Sequence, residues 1–166
     1  MPTELDQARE CAAKEPLRAL ELETRHIAAN PSDPNGYFSR HYTQAKLGEY
    51  DEALADCEKS IRLDPIPFRY LARADIHRKL GNYELALRDL NHVHDVDPET
   101  WLNAFGPHMR ADTLARLGDA EGALADAALL PDDHWMPSHS GLPSGSKEDF
   151  TKEIKRRAAS ARGNGL

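Results

Sequence analysis

Apolar residues recur every three or four positions in several stretches of this chain, and the stretches stop at glycine or proline. The segment "DEALADCEKSIRLDP" (51–65) shows the pattern, and Phe150, Ile154 and Ala158 repeat it near the end of the sequence. Spacing of this kind places apolar side chains on one face of an α-helix. Because proline cannot continue a helix and glycine favours its end, the pattern predicts short helices separated by turns.

One section of the chain occurs more than once. "KLGEYDEALADCEKSIRLDP" (46–65) is followed by "KLGNYELALRDLNHVHDVDP" (79–98), and "RLGDA" is a shorter third copy. Gly48 and Gly81 are 33 residues apart, and Gly81 and Gly118 are 37 apart. Upstream, "ALELETRHIAANP" lies 34 residues before "ALADCEKSIRLDP". A period of about 34 residues predicts stacked helical hairpins.

Each repeat contains two predicted helices joined by a glycine turn. "YFSRHYTQAKL" predicts the first helix of one repeat, "DEALADCEKSIRL" predicts the second, and Gly48 provides the turn between them. The pattern resembles the tetratricopeptide repeat (TPR) family, in which an aromatic residue, a Leu-Gly pair, a later Tyr, Ala-x3-Phe and a final Pro recur. The matching positions are Tyr37, Arg40-His41, Gln44, Ala53-x3-Cys57 and Pro65, then Tyr70, Arg73-Ala74, His77, Ala86-x3-Leu90 and Pro98, then Arg110-Ala111, Leu114 and Ala123-x3-Ala127.

The resemblance implies an all-α fold, a right-handed TPR superhelix of antiparallel helix hairpins. Three clear repeats follow a degenerate N-terminal one, and a C-terminal capping helix closes the stack. Small residues such as Ala53 and Ala86 allow the two helices of a hairpin to approach closely. The predicted segments are a degenerate hairpin at 1–33, repeats at 34–66, 67–98 and 99–130 (the last with an insertion), a Pro/Gly/Ser-rich loop at 131–146 and the capping helix at 147–162.

The sequence after the second clear repeat predicts an interruption, a loop and a final helix. Gly106-Pro107 should break or restart the helix there. Residues 131–146 contain three prolines, two glycines and four serines, which predicts a loop. Ser146 is the predicted N-cap of the last helix, with Asp149 in the capping-box position, and Gly163 its end.

The last helix is interpreted as a cap. A solenoid exposes the apolar face of its final repeat, so we expect this helix to pack on the helix around Leu124 and Ala128. Residues 147–162 carry a net charge of +3, which leaves −10 for the rest of the chain, so the cap should be attracted to an acidic body. The alternative is that this basic helix contacts nucleic acid or acidic lipid.

Each clear repeat has an arginine sixteen residues before an aspartate. The pairs are Arg40 and Asp56, Arg73 and Asp89, and Arg110 and Asp126. They form either a row of ligand-binding arginines or a salt bridge within each hairpin, and the fixed spacing favours the salt bridge. The pairing predicts that Arg73→Ala destabilises the protein more than Arg69→Ala.

Composition and charge narrow the functional classes. The chain has 166 residues, of which 40% are hydrophobic and 30% charged, the balance of a soluble globular protein. Its net charge of −7 argues against nucleic-acid binding, and no apolar run approaches the about 20 residues of a membrane span. The N-terminus lacks a signal-peptide pattern, so we expect a cytoplasmic location. Cys11 and Cys57 lack metal-ligand spacing and are interpreted as reduced, buried thiols.

Catalytic and metal-binding patterns are not found in the sequence. His92 and His94 are two residues apart on a helix and point to different faces, so they do not chelate together. The loop sequence "DDHWMPSH" (132–139) holds metal-capable groups, but solvated loop residues are the favoured interpretation. The chain has no Gly-rich phosphate loop, no metal-binding helix motif and no serine elbow. We therefore expect a binding protein with no enzymatic activity, no metal and no cofactor.

The repeat at 46–65 resembles those of eukaryotic co-chaperones that hold the acidic C-terminal tails of Hsp70 and Hsp90. That resemblance implies a clamp of lysines, asparagines and an arginine on the inner helices. The clamp positions here are Phe38, Tyr42, Ala72, Phe105 and Met109, or in an alternative register Glu4, Ala8, Ser39, Phe68 and Ala72. Neither set supplies the charges and amides of the clamp, so the chaperone tail is not predicted as the ligand.

The family resemblance places a concave groove along the first helix of each hairpin. A 3, 4, 3 spacing selects the inward positions of these helices. The predicted peptide-binding residues are Asn35, Phe38, Tyr42, Phe68, Leu71, Asp75, Arg78, Phe105, His108 and Asp112. This mostly uncharged, aromatic floor favours a peptide with apolar anchors. The loop that carries Trp135 and Met136 is long enough to cover part of the groove.

Two functions from different classes agree with these observations. The first is a protein–protein interaction adaptor that binds a peptide or partner segment in the groove. The second is a dedicated chaperone or assembly factor, similar to the small three-repeat TPR chaperones of bacterial secretion systems, and a regulatory enzyme is a third alternative. The sequence names no partner protein, and it leaves open a homo-oligomer formed through an exposed solenoid end or the groove.

Overall fold

The computed structural model describes residues 2–103, 105–133, 135–136 and 145–163. These residues are predominantly helical, which confirms the all-α repeat fold. None of the described helices has both the length and the apolarity of a membrane span. The elements are α1 (Glu4–Cys11), α2 (Pro16–Ala29), α3 (Pro34–Leu47), α4 (Tyr50–Leu63), α5 (Pro67–Lys79), α6 (Tyr83–Val96), α7 (Pro98–Asn103), α8 (Gly106–Arg116), α9 (Ala120–Ala128), β1 (Trp135–Met136), β2 (Gly145–Ser146) and α10 (Lys147–Gly163).

The chain divides into two compact units, residues 1–76 and 77–166. In the first unit, α1 packs on α2, α2 on α3 and α3 on α4, and most of α5 follows. In the second unit, α6 packs on α8, and α8 packs on α9. The small residues expected at hairpin contacts, including Ala53 and Ala123, are fully buried. Consecutive helices therefore approach each other closely, as the repeat pattern predicts.

The glycine turns have the backbone that the sequence predicts. Gly48 has a φ of 83° and Gly118 a φ of 84°, a conformation that residues with a Cβ atom rarely adopt. After each glycine, a backbone N–H turns back to the preceding helix: Glu49 donates to the Gln44 carbonyl at 3.0 Å. These bonds satisfy carbonyl groups that the end of a helix leaves unpaired.

The predicted ion pair within a hairpin is present in both units. Arg40 donates to both carboxylate oxygens of Asp56, at 2.6 and 2.8 Å. Arg110 donates to both carboxylate oxygens of Asp126, each at 2.7 Å. This two-point geometry supports the structural interpretation over a row of ligand-binding arginines for these two pairs. The pairing of Arg73 with Asp89 stays a prediction.

Arg69 is a structural residue in its own right. Its buried guanidinium donates to the Asp64 carbonyl at 2.6 Å, to the Asp64 carboxylate and to the Asn35 amide oxygen at 3.1 Å. Truncation would remove all of these hydrogen bonds from a buried position. We therefore expect Arg69→Ala to destabilise the protein too. It is not a neutral control for the destabilisation predicted for Arg73→Ala.

The predicted interruption before the third repeat is a short additional helix. α7 ends at Asn103, and α8 starts at Gly106 after Phe105, whose φ is 62°. A side chain at position 106 would collide with the ring of Trp101, so glycine is required for the close approach of α7 and α8. The insertion is thus an ordered part of the second unit.

The segment predicted as a loop at 131–146 contains some regular structure. β1 and β2 pair in the antiparallel direction, with Trp135 opposite Ser146 and Met136 opposite Gly145. The described residues of this segment are not helical, and the sequence did not predict this short strand pairing within it. Position 134 and positions 137–144 lie outside the described residues.

The last helix has the predicted cap and a wider contact than predicted. The N–H of Asp149 donates to the Ser146 hydroxyl at 3.2 Å, and the N–H of Ser146 donates to the Asp149 carboxylate at 3.1 Å, which completes a capping box. α10 packs against α8 as well as α9. Its buried side chains join one core cluster, whose members are Ala111, Ala115, Ala123, Ala127, Leu130, Phe150, Ile154 and Ala158.

Candidate peptide-binding surface

Aromatic side chains lie together on α3 and α5 in the first unit. The ring centroids of Phe38 and Phe68 are 5.8 Å apart, with the rings edge to face. Tyr42 follows one helical turn after Phe38, and the side chains of Tyr42 and Phe68 are 56% and 53% exposed. We call Phe38, Tyr42 and Phe68 the aromatic patch. Contiguous exposed apolar surface of this kind marks interaction sites on proteins.

The buried side chain of Arg69 supports the aromatic patch. Its guanidinium lies 5.6 Å from the Phe38 ring centroid, within cation–π range. The same side chain bonds to Asn35, one turn before Phe38 on α3, and to Asp64 before α5. Arg69 therefore links the two helices that carry the patch and fixes their rings relative to each other.

Two further side chains, His41 and Lys46, contact the aromatic patch. Neither is among the peptide-binding residues that the sequence predicts. The His41 ring is buried 4.5 Å from the Phe38 ring centroid, and its Nδ1 hydrogen-bonds to the Phe38 carbonyl. The ammonium of Lys46 lies 5.2 Å from the centroid of the Tyr42 ring. His41 lies three residues after Phe38, and Lys46 four after Tyr42, so helical spacing from the predicted aromatics would have identified them.

A buried carboxyl group supports α3 from α2. Glu23 is fully buried, and its Oε1 accepts hydrogen bonds from the Ser39 hydroxyl at 2.6 Å and the Thr43 hydroxyl at 3.1 Å. Burial raises the pKa of Glu23 above its usual value, although the two hydroxyls and the nearby Arg40 oppose the shift. The position of the aromatic helix thus depends on a carboxyl group that resists ionisation.

The other predicted residues of the first unit differ in their exposure. Asn35 is exposed beside the patch, and Asp75 is half-buried. Leu71 is 4% exposed and belongs to the core. The first unit therefore brings Asn35 together with the aromatic patch, while the side chain of Leu71 lies below the surface.

In the second unit, three of the four predicted peptide-binding residues are buried. Phe105 is 54% exposed, but Arg78, His108 and Asp112 are at most 7% exposed. The His108 ring packs on Phe150 of α10, with centroids 3.9 Å apart. The face of α8 that spacing assigns to the groove is therefore covered by the capping helix.

The Asp112 carboxylate is surrounded by arginines. It accepts hydrogen bonds from Arg78 at 2.5 Å, from Arg116 at 3.0 Å and from Arg157 of α10. Burial alone would raise the pKa of Asp112, but the positive charges outweigh burial and lower it. Arg116, four residues after Asp112, follows from helical spacing; Arg157 is 45 residues away, and no sequence pattern connects the two.

The basic side chains of α10 have partners inside the second unit. Glu153 accepts hydrogen bonds from Arg156 and Arg157, which lower its pKa to about 2. Lys147 donates to the Leu130 carbonyl at 2.6 Å, and Arg162 donates to the Gly118 carbonyl at 2.9 Å. Two of these contacts lie within α10 and two are with backbone carbonyls, so the attraction of a basic cap to an acidic body stays a prediction.

The next feature is the distribution of side chains that could bind a metal ion. Within those ranges, no group of three or more His, Cys, Asp or Glu side chains could hold a metal ion. His134 and His139 of the predicted loop lie outside the described residues, as do the side chains of Trp135 and Met136. Coverage of the groove by that loop therefore stays a prediction.

Comparison with known proteins identifies the repeat type. The tetratricopeptide repeat model matches residues 42–67 and 69–100. The Hsp70-Hsp90 organizing protein of Triticum aestivum is 29% identical over 111 residues, 65% of this chain and 19% of that protein. The protein SGT1 homolog of Oryza sativa subsp. japonica is 47% identical over 47 residues, 28% of this chain and 13% of that protein. The chain therefore spans less than a fifth of either relative's length.

Solved structures share the fold at low sequence identity. YrrB, a TPR protein with an unusual peptide-binding site, superposes with a TM-score of 0.70 and 16% identity, covering 97% of this chain and 75% of YrrB. MamA 41-end from Desulfovibrio magneticus RS-1 has a TM-score of 0.68 and 16% identity, covering 99% of this chain and 98% of MamA. At these identities the likeness establishes the fold.

Proposed function

We propose that this chain, whose residues 42–67 and 69–100 match the tetratricopeptide repeat model, is a protein-interaction module and that its aromatic patch binds a segment of a partner protein. The observation that carries the proposal is the edge-to-face pair of the half-buried Phe38 and the exposed Phe68, with the exposed Tyr42 one helical turn after Phe38. The rings sit on two helices that Arg69 ties together, so binding would cost little ordering entropy.

The chemistry of the patch favours a partner segment with one or two large apolar anchors. Aromatic rings supply apolar area and face-to-edge contacts, and Lys46 and Asn35 at the border offer polar contacts to a peptide backbone or side chain. The buried His41 ring, 4.5 Å from the Phe38 ring centroid, supports the patch. We further propose a cytoplasmic protein without catalytic activity, in line with its interaction fold.

The likeness to the Hsp70-Hsp90 organizing protein favours a second candidate, a chaperone or assembly factor. Such a role would use the same module on a chaperone or on a protein awaiting assembly. The lysine and asparagine clamp that the co-chaperone resemblance implies is not matched at Phe38, Tyr42 or Phe68. We therefore rank the adaptor with an apolar ligand first.

The test uses single alanine variants at the three aromatic positions of the patch. Partners captured by the wild-type chain are identified by mass spectrometry, and a peptide from the bound segment is then titrated against each variant. Phe38→Ala, Tyr42→Ala and Phe68→Ala should each weaken binding about tenfold or more. Glu58→Ala on α4, whose carboxylate is partly exposed in an ion pair with Arg62, is the matched control and should bind as the wild type does.

The outcomes separate the two candidates. Normal binding by all three aromatic variants, together with loss of binding by Glu58→Ala, would refute the aromatic patch as the site. An acidic tail peptide that binds the aromatic variants normally, and that dissociates as salt is raised, would support the chaperone candidate instead. Circular dichroism of each variant establishes that the fold is unchanged.

A further inference from the structure

The insertion in the second unit carries a further set of exposed residues, none of which belongs to the aromatic patch. The spacing from Gly81 to Gly118 exceeds the spacing from Gly48 to Gly81 by four residues, 37 against 33. The longer interval includes α7, a helix of six residues that the two-helix repeat does not require. A helix outside the repeat pattern needs its own explanation.

The insertion is anchored by a buried tryptophan. Trp101 is 1% exposed, and its ring lies 4.5 Å from the Arg110 guanidinium and 5.5 Å from the His94 ring. Asp97 accepts a hydrogen bond from the Thr100 N–H at 3.0 Å and so caps the start of the helix. α7 is therefore held firmly on α6 and α8.

Large apolar side chains around this anchor nevertheless point to solvent. Val96, Leu102 and Phe105 are 54%, 56% and 54% exposed. Among the described non-glycine residues, Phe105 is the one with a positive φ, 62°, which costs free energy for a bulky side chain. Burial does not offset that cost, because half of the Phe105 side chain is in water.

Acidic residues are the sequence neighbours of these apolar side chains. Asp95 and Glu99 are exposed and Asp97 is half-buried, and the chain has no Lys or Arg between Arg88 and Arg110. A complementary partner would carry positive charge. A second copy of this chain is disfavoured, because each copy carries a net charge of −7.

We propose that this surface binds an amphipathic segment of a partner protein that has Lys or Arg beside its apolar residues. Apolar residues of the segment would cover Leu102, Phe105 and Val96, and its cations would face the acidic border. We call the surface that would bind this segment the α7 surface. Its residues are Asp95, Val96, Asp97, Glu99, Leu102 and Phe105.

The probe is a designed amphipathic peptide of leucine and lysine, about 14 residues or four helical turns long. A matched peptide has glutamate in place of every lysine. Titration of the full chain followed by fluorescence anisotropy should show binding of the lysine peptide, weakened by salt, and no binding of the glutamate peptide. Leu102→Ser should weaken binding about tenfold, and Glu99→Lys should weaken it and reduce its salt dependence.

Leu129→Ser is the matched control. Leu129 is also an apolar residue of the second unit, and its side chain is 53% exposed, so the variant should bind the peptide as the wild type does. Equal binding by the wild type and Leu102→Ser, an equal loss in Leu129→Ser, or equal binding of both peptides would overturn the proposal. A wild-type dimer that Leu102→Ser dissociates in sedimentation velocity would also overturn it, because a second copy would then cover the surface.

A variant at Phe105 separates binding from folding. Phe105→Gly relieves the left-handed backbone conformation, so its melting temperature should equal or exceed that of the wild type while peptide binding is lost. A marked fall in melting temperature with unchanged peptide binding would show that Phe105 has a structural role and would contradict the α7 surface.

Discussion

The same repeat positions are aromatic and at least partly exposed in one unit, and polar and buried in the other. Phe38 and His108 each lie ten residues before their turn glycine, and Tyr42 and Asp112 each lie six residues before it. Tyr42 is 56% exposed, whereas His108 and Asp112 are fully buried under α10. Position within a repeat therefore does not decide whether a side chain is available to a partner. The element that packs on the position decides it.

The difference also shows what the capping helix does for the second unit. Phe150 supplies an aromatic ring to His108, and Arg157 supplies a cation to Asp112. α10 thus makes the kinds of contact that a bound peptide would make, but within one chain. On α3, Phe38 is half-buried and Tyr42 is 56% exposed, and both belong to the aromatic patch.

The largest effect is expected from a pair of identical substitutions on the two sides of this comparison. Phe150→Ala removes a fully buried ring and should lower the free energy of unfolding by about 4 kcal/mol. Phe68→Ala removes a ring that is half in water and should cost less than about 1 kcal/mol. Urea unfolding monitored by circular dichroism gives both values. Similar losses for the two variants would show that Phe68 is a core residue and not part of a binding surface.

A somewhat smaller effect is expected at the equivalent polar position. Asp112→Ala leaves Arg78, Arg116 and Arg157 without their shared carboxylate and should lower the free energy of unfolding by about 3 kcal/mol. Arg116 and Arg157 are partly exposed, so water compensates for some of the loss.

Tyr42→Ala is the matched control for Asp112→Ala, because it makes the same substitution product at the same repeat position. It should lower the free energy of unfolding by less than about 1 kcal/mol. The comparison fails if Tyr42→Ala destabilises the chain as much as Asp112→Ala does. In that case the exposed position of α3 would be structural after all.

The smallest effect is a difference in pH dependence between two buried carboxyl groups. Burial raises the pKa of Glu23, so its contribution to stability decreases as the pH rises above about 4.3, the usual glutamate value. Burial also acts on Asp112, but the surrounding arginines lower its pKa, so its contribution is present above about pH 3.9 and is lost as the pH falls through the folded-state pKa.

The measurement is urea unfolding of the wild type, Glu23→Gln and Asp112→Asn at a series of pH values. Glu23→Gln should remove a loss of stability at rising pH, and Asp112→Asn should remove a loss at falling pH. Both changes should be smaller than those of the alanine variants of Phe150 and Asp112. Parallel pH profiles for all three proteins would contradict the opposite pKa shifts.

The repeat architecture was predictable because it depends on local signals. Glycine at positions 48, 81 and 118, proline after the second helix and small residues at helix contacts act over a few residues each, and all of them recur with the period. The capping box at Ser146 and Asp149 is equally local. Phe38, Tyr42 and Phe68 are predictable for the same reason, because the 3, 4, 3 spacing selects the inward positions of the first helix in each repeat.

The burial of His108 and Asp112 was not predictable from spacing. The sequence predicts that the capping helix packs on α9, around Leu124 and Ala128. In the structure, α10 also contacts α8. The partner of Asp112 on α10 is 45 residues away, and its choice depends on how helices pack rather than on any periodic signal. Residue type does carry a signal for the difference in burial. His108 and Asp112 occupy the repeat positions that Phe38 and Tyr42 occupy in the first clear repeat.

The late position of α10 in the chain has a consequence for biosynthesis. The ribosome completes the segment that forms the first unit when it reaches residue 76, but the core of the second unit includes Phe150, Ile154 and Ala158. At about 5–20 residues per second, α8 and α9 wait several seconds for the helix that covers them. Until α10 has been made, the side chains of His108 and Asp112 lack the helix that covers them in the folded unit.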